Sequence, residues 1–259
     1  MVSQLAEFIR YRELVKNLVA RDLKVRYRNS ILGFLWCLLN PLIMTGVFTI
    51  VFTVLMKSGI PNYPVFIVVG VLAWNFNATA VTGAMTSIVG NSGLVMKVYF
   101  PREVLPISVV LSNAVNFALA LIAAFAMVFA FRIPVGVNLV MLPVILVVQV
   151  IFTCGVALFL SALTVFFRDV ENIMESLMLA WFFLTPVVYR MQDLFPAYSR
   201  IMYIANPMAS IISAYQDVLY LGGWPAFDFL SRTFVTSVVM LVIGWVFFRR
   251  SAKRFGEEL

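Results

Sequence analysis

The chain has 259 residues, of which 63% are hydrophobic and 12% charged, against about 45–50% and about 25% in an ordinary soluble domain. With a mean hydropathy of +0.99 this excludes a disordered chain and a secreted disulfide scaffold, and points to a membrane protein. There is no histidine, which excludes a Ser-His-Asp triad, a His proton relay and a His metal site, and the formal charge of +7 has to be read by its location, without nucleic acid as a partner.

Residues 4–23 predict an amphipathic helix at the membrane surface. Leu5, Phe8, Ile9, Val15, Val19 and Leu23 fall on one side, and Arg10, Glu13, Asn17, Arg21 and Lys24 on the other. Arg12 and Lys16 fringe the apolar stripe, where long side chains snorkel. Such a helix lies along the cytoplasmic face as a lipid anchor or as a docking ledge for a soluble partner. The basic run Arg21, Lys24, Arg26, Arg28 follows it directly. It satisfies the positive-inside rule, and it is also a collar for anionic headgroups or a substrate phosphate, to which Arg is suited.

Charge is absent from residues 29–56, 58–96, 104–131 and 133–167, and from the shorter stretches 176–189 and 233–248. Crossing hydrocarbon takes roughly 20 apolar residues, so six spans are expected, at about 31–56, 63–85, 106–131, 138–165, 172–190 and 230–248. Both ends are strongly basic, the tail through Arg249, Arg250, Lys253 and Arg254. Two basic ends on the cytoplasmic side require an even number of spans. That topology leaves only Lys57, Arg132, Arg190, Arg200 and Arg232 outside, out of 19 Lys and Arg. The first apolar run is too long for a signal-peptide core and follows some 30 residues of charged and amphipathic sequence, so no cleavable signal is expected. Cys37 and Cys154 both sit in apolar runs and read as small packed hydrophobes.

Two connections are unlike solvated loops. The cytoplasmic segment 86–105 is apolar, predicts a short helix over 92–99 that Pro101 ends, and has to be covered by its own bundle or by a partner. The outer segment 190–229 carries Phe195-Pro-Ala-Tyr, Ile201-Met-Tyr-Ile-Ala-Asn-Pro and an apolar run from Met208 to Leu221. It predicts two short helices dipping into the outer leaflet as a gate, because irregular backbone at that depth must be buried or line a cavity.

The spans carry almost no charge, which argues against an ion-coupled transporter and a selective channel. Asp169 beside Arg168, with Glu171 and Glu175, reads as ion pairing at the cytoplasmic interface. Aromatics make up 15%. Most are packing residues or interface anchors, and an aromatic-lined conduit for sugar rings is a further reading. A membrane enzyme would need a polar or acidic cluster, and Asp193, Asp217 and Asp228 are scattered. No G-x-x-x-x-G-K-[ST] string occurs, so any ATP must be bound by another chain.

The string Arg21-Asp-Leu-Lys-Val-Arg-Tyr-Arg-Asn-Ser-Ile-Leu-Gly-Phe-Leu-Trp-Cys-Leu-Leu-Asn-Pro-Leu resembles the membrane subunits of ABC-2 type polysaccharide exporters: the O-antigen, capsule and teichoic acid export permeases, O-antigen exporters most of all. Phe100-Pro-Arg-Glu-Val-Leu-Pro, Phe166-Phe-Arg-Asp-Val-Glu-Asn, Thr185-Pro-Val-Val-Tyr and Asn206-Pro-Met continue the resemblance in order over nearly the whole chain. An ABC-2 drug or lipid exporter shares the architecture, and the Phe100-Pro-Arg string argues against it.

The resemblance implies an all-α polytopic membrane protein with an interface segment at 1–29, a transmembrane domain at 30–250 and a cytoplasmic tail at 251–259. It implies a homodimer in the bacterial cytoplasmic (inner) membrane, both termini cytoplasmic, working with two copies of an ABC ATP-binding subunit that holds ATP and Mg. No cofactor is expected in this chain. The cargo is expected to be an undecaprenyl-pyrophosphate-linked polysaccharide moving among membrane lipids. A coupling helix contacting the ATPase is expected at Asn91, Leu94, Lys97, Phe100, Pro101 and Arg102. Substrate phosphate contacts are expected at Arg21, Lys24, Arg26 and Arg28, conduit aromatics at Phe52, Trp181 and Tyr189, and an outer gate at Tyr198, Tyr203 and Tyr215.

Overall fold

The computed structural model describes residues 11–27, 35–55, 59–191, 197 and 199–259, without the side chains of Tyr27 and Cys37. Their regular structure is helical throughout. The part of the surface helix over 4–10, together with Arg28, Asp193 and Tyr198, lies outside the described residues.

In chain order the helices are α1 (Arg12–Tyr27), α2 (Trp36–Thr49, continued by a π turn Ile50–Leu55), α3 (Tyr63–Met85), α4 (Ser92–Lys97), α5 (Val104–Ala130) and α6 (Met141–Phe166). They continue as α7 (Val170–Leu184), α8 (Ser199–Ala205), α9 (Pro207–Leu219), α10 (Phe227–Ala252) and α11 (Phe255–Glu258). Proline opens several of them. Pro64, Pro106, Pro143 and Pro207 all stand in a first turn, where the missing N–H is not needed. At the far end of α5, Arg132 takes the left-handed conformation (φ 53°). Its N–H reaches the carbonyl of Phe129 and that of Ile133 reaches Val128, which satisfies the last carbonyls and stops the helix.

Among the described residues, five helices are long and apolar enough to cross a membrane: Leu38–Leu55, Tyr63–Met85, Val104–Ala130, Val137–Phe166 and Phe227–Ala252. The fifth expected span, 172–190, is instead the 15-residue α7, about 22 Å long at 1.5 Å per residue and short of the roughly 30 Å core. Its charge-free window was only 176–189, and Pro186 forbids helical continuation.

Helix α3 is the centre of the bundle, with 78% of its best apolar window buried. It packs against α2, α5, α6 and α9. A helix apolar on every side is stable only when covered on every side. Polar side chains fix its register on α6: Thr153 Oγ1 donates to Asn77 Oδ1 at 3.0 Å, and Gln149 Nε2 to the Ala73 carbonyl at 2.8 Å, as expected between helices in lipid. At Gly70 an added Cβ would sit 2.7 Å from the Val187 carbonyl, so this glycine admits the irregular strand of chain that follows α7.

Helices α6 and α10 make the largest helix contact in the molecule. They cross at Gly155 and Gly244, where a Cβ on Gly244 would stand 2.1 Å from the Gly155 carbonyl. Small residues of this kind bring two backbones into direct contact. By contrast, α2 has only 11% of its apolar window buried, and Ile43, Met44, Val47, Ile50, Val54 and Leu55 all face outward.

Candidate functional site

At the basic end of the bundle, α1 lies against α5. Val15 and Leu18 are buried, and Arg12, Glu13, Lys16 and Asn17 are exposed. The apolar side therefore rests on protein. Between α1, α5 and the turn before α4 is an open cavity of about 510 Å³, lined by Arg21, Asp22, Val25, Arg26, Asn91, Val109 and Ser112. Arg21 pairs with its neighbour Asp22 at 3.2 Å. Arg26 Nη1 donates to Asn113 Oδ1 at 3.0 Å, which also accepts from Thr79 Oγ1 at 3.2 Å, so Asn113 fixes one guanidinium against the bundle. Of the expected phosphate contacts the structure brings together Arg21 and Arg26. Lys24 is exposed and is not among the lining residues. Asn91 was expected as a coupling-helix contact, whereas Ser112 and Asn113, inside the expected span 106–131, carried no signal in the sequence beyond being polar.

The segment 86–105 forms a short turn Val89–Asn91, then α4, then extended chain from Val98. Asn91, Leu94 and Pro101 are half-buried and Lys97 is exposed. Phe100 and Arg102 point inward. Phe100 is buried in a cluster with Val15, Leu18, Val95, Val104, Phe248 and Phe255. Arg102 Nη1 donates to the Ala252 carbonyl, and its guanidinium lies 5.8 Å from the centre of the Phe255 ring. The outward side chains are Met96, Val98 and Tyr99, the last 92% exposed. In an apolar cytoplasmic segment, a side chain covered by its own bundle and one awaiting a partner read alike in sequence.

A continuous aromatic chain climbs through the protomer. Phe152 meets Trp181 at 6.1 Å, Trp181 meets Trp74 at 5.7 Å, and Trp74 meets Phe182 at 5.6 Å. Phe182 meets Phe48 at 5.9 Å, Phe48 meets Phe52 at 6.3 Å, and Phe52 meets Tyr63 at 5.9 Å. The rings continue through Phe66 to Tyr220. Two of the expected conduit residues, Phe52 and Trp181, belong to this chain. Tyr189 stands apart, its hydroxyl donating to the Phe183 carbonyl at 2.8 Å.

The outer segment contains the two short helices α8 and α9. Asn206 is its hub. It caps α9 by accepting from the Met208 N–H, accepts from Trp181 Nε1 at 3.0 Å, and donates to Thr185 Oγ1 at 2.9 Å. The Asn206-Pro and Thr185-Pro strings, 21 residues apart, thus clasp each other. Tyr203 rests on Phe229 at 5.3 Å and lines a small cavity of about 90 Å³ with Ser210, Ser213 and Asp217. Tyr215 is fully buried against Phe117. Of the expected gate tyrosines, only Tyr203 is placed on a cavity between α8, α9 and α10.

A family model described as ABC-2 type transporter matches residues 13–220. An O-antigen export system permease protein RfbA of Myxococcus xanthus is 37% identical over 260 aligned positions, covering 100% of both chains. A protein of the same name from Klebsiella pneumoniae is 32% identical over 248 positions, 95% of each chain. The polysialic acid transport protein KpsM of Escherichia coli is 21% identical over 246 positions, 91% of this chain and 92% of its own.

Proposed function

Because the chain belongs to the ABC-2 type transporter family, we propose that it is the membrane permease subunit of an ATP-driven exporter of a lipid-linked, O-antigen-like polysaccharide. The observation that carries this reading is its end-to-end similarity to O-antigen export permeases from two genera. Family membership implies an ABC ATP-binding partner. The protein is a multi-pass membrane protein, and the chain is the passage rather than the engine.

In this reading two copies face each other across the bacterial inner membrane, each with an ATP-binding subunit beneath it. The exposed apolar side of α2 supports a homodimer. Helix α7 together with the irregular chain 185–190 completes a sixth crossing, so that both basic ends lie in the cytosol. Met96, Val98 and Tyr99 on the 86–105 segment meet the ATPase. The cargo enters as a polyprenyl diphosphate, undecaprenyl pyrophosphate in the bacterial case, with its phosphates in the cavity beside Arg21 and Arg26. Guanidinium groups suit diphosphate oxygens because their fixed forks form paired charge-assisted hydrogen bonds. Asn91 on the wall of that cavity supports a link between the 86–105 segment and the headgroup. Sugar rings then pass along the half-exposed members of the aromatic chain, Phe48, Phe52, Trp181 and Phe182, while Trp74, Phe152, Tyr63 and Phe66 are buried behind them, and leave past α8 and α9. A capsule exporter is the second reading, favoured by the KpsM similarity at its lower identity.

The test is ATP hydrolysis by the purified two-component complex, stimulated by the cell's own lipid-linked glycan. Replacing Arg26 by Gln should raise the glycan concentration for half-maximal stimulation about tenfold, the equivalent of one charge-assisted hydrogen bond. Arg26→Lys, which keeps charge but loses the fork, should fall between. Equal stimulation of all three proteins would contradict the headgroup assignment. No stimulation of the unaltered complex would contradict the substrate class.

A further inference from the structure

Two adjacent residues of the cytoplasmic segment grip the same distant helix. Arg102 donates to the carbonyl of Ala252, the last residue of α10. Glu103 Oε1 pairs with Arg249 Nε at 3.2 Å, and the Arg249 guanidinium lies 5.0 Å from the centre of the Trp245 ring. Beyond Ala252 the chain turns back, and Phe255 is fully buried edge-on to Phe248 at 5.4 Å and beside Phe166 at 6.0 Å. The C-terminal turn therefore fastens the segment to α10 from both sides. A partly exposed ion pair adds little to stability, so thermal stability alone gives little reason for this arrangement. What it provides is a stiff attachment.

Helix α10 is suited to carry a displacement. It runs unbroken for 26 residues, about 39 Å at 1.5 Å per residue. It is seated backbone-to-backbone on α6 at Gly155 and Gly244, so the two helices move as one body. At its outer end the Asp217 carboxylate of α9 accepts the Ala226 N–H, and Phe229 carries the Tyr203 ring of α8. The same helix is thus fastened to the cytoplasmic segment at one end and to both outer helices at the other.

We propose that Arg102 and Glu103 are positioning residues that pass the motion of the cytoplasmic segment to α10, and that α10 is the rod by which this motion reaches α8 and α9. The proposal rests on the exporter reading for the source of the motion. It does not require that the cargo be a polysaccharide. Coupling of this kind needs a continuous chain of stiff contacts whose ends are both biased by one event, and the contacts from Glu103 to Phe229 form such a chain.

The experiment reads the joint itself. In the complex with its ATP-binding partner, with Cys37 and Cys154 replaced by Ala, Ser213→Cys places a thiol on the small cavity between α8, α9 and α10. Its rate of reaction with a maleimide is measured without nucleotide and with ATP and vanadate. We expect a several-fold change in rate on trapping, loss of that change in Glu103→Gln, and its return in the charge-exchanged Glu103→Arg/Arg249→Glu protein. A trapping response in Glu103→Gln equal to that of the parent overturns the proposal, as does a parent that shows no response. So does a response lost in Glu103→Gln that the charge exchange fails to restore, because the pair would then be a staple only. Since the readout needs no glycan, a complex that shows this relay but moves no polysaccharide counts against the substrate class and leaves the rod in place.

Discussion

Asp217 sits on the short outer helix α9 with its carboxyl among Tyr203, Ser210 and Ser213, and no cation pairs with it among the described residues. Burial pushes its pKa up to about 6 from an ordinary 3.8, against the pull of the Ala226 N–H. A carboxyl whose folded pKa is raised holds its proton longer in the folded state. Its contribution to stability is present at low pH and is lost as the pH rises from about 4 through about 6. The melting temperature of the detergent-purified protein should therefore gain a component between pH 7 and pH 5 that Asp217→Asn removes. Parallel melting curves for the two proteins across that interval would show that Asp217 is not the buried acid. The residue's position was visible in sequence as one of three scattered outer aspartates. Its burial was not, because the Ala226 contact joins residues from opposite sides of the Gly222-Gly-Trp-Pro turn.

At the scale of elements, the α6–α10 crossing makes a prediction with two signs. Gly244→Ala adds one methyl where a carbonyl stands 2.1 Å from the new Cβ. Such overpacking costs on the order of 3 kcal/mol and should lower the melting temperature and the yield of folded protein. Gly46→Ala meets nothing within 4 Å and gains helix propensity of up to about 1 kcal/mol, so it should be neutral or stabilising. Melting curves of the two variants that fell together would remove the case for a rigid α6–α10 body. The elements themselves were largely legible. Charge-free gaps located α3, α5, α6 and α10 within a few residues, since few charges can sit in hydrocarbon. The 172–190 span was not legible as a short helix, because parity of charged ends counts crossings but not the conformation that makes them. Likewise the fold alone reveals that Phe100 and Arg102 of the Phe100-Pro-Arg-Glu string face the bundle while Tyr99 faces out. Tyr215 shows the same limit: an aromatic at helical spacing gives no sign of which side is covered until the neighbour, here Phe117, is known.

For the whole molecule, the proposed reading is that of a passage driven by a partner. A densely buried α3 organises the protomer, and α2 lies at its margin with its apolar side uncovered within the protomer. An arginine-lined cavity opens at the basic end, rings run between, and a clasped pair of short helices closes the other end. In the proposed reading the source of work is an ABC ATP-binding partner, which family membership implies. The measurement that bears on this most directly is flux in sealed vesicles containing the chain, its ATP-binding partner and the cell's lipid-linked glycan. We predict that the polysaccharide changes sides only when both proteins are present and ATP is hydrolysed, and stays in place with either protein alone or with a non-hydrolysable analogue. Movement of the glycan by this chain alone at the same rate, with no ATP and no partner, would contradict the account.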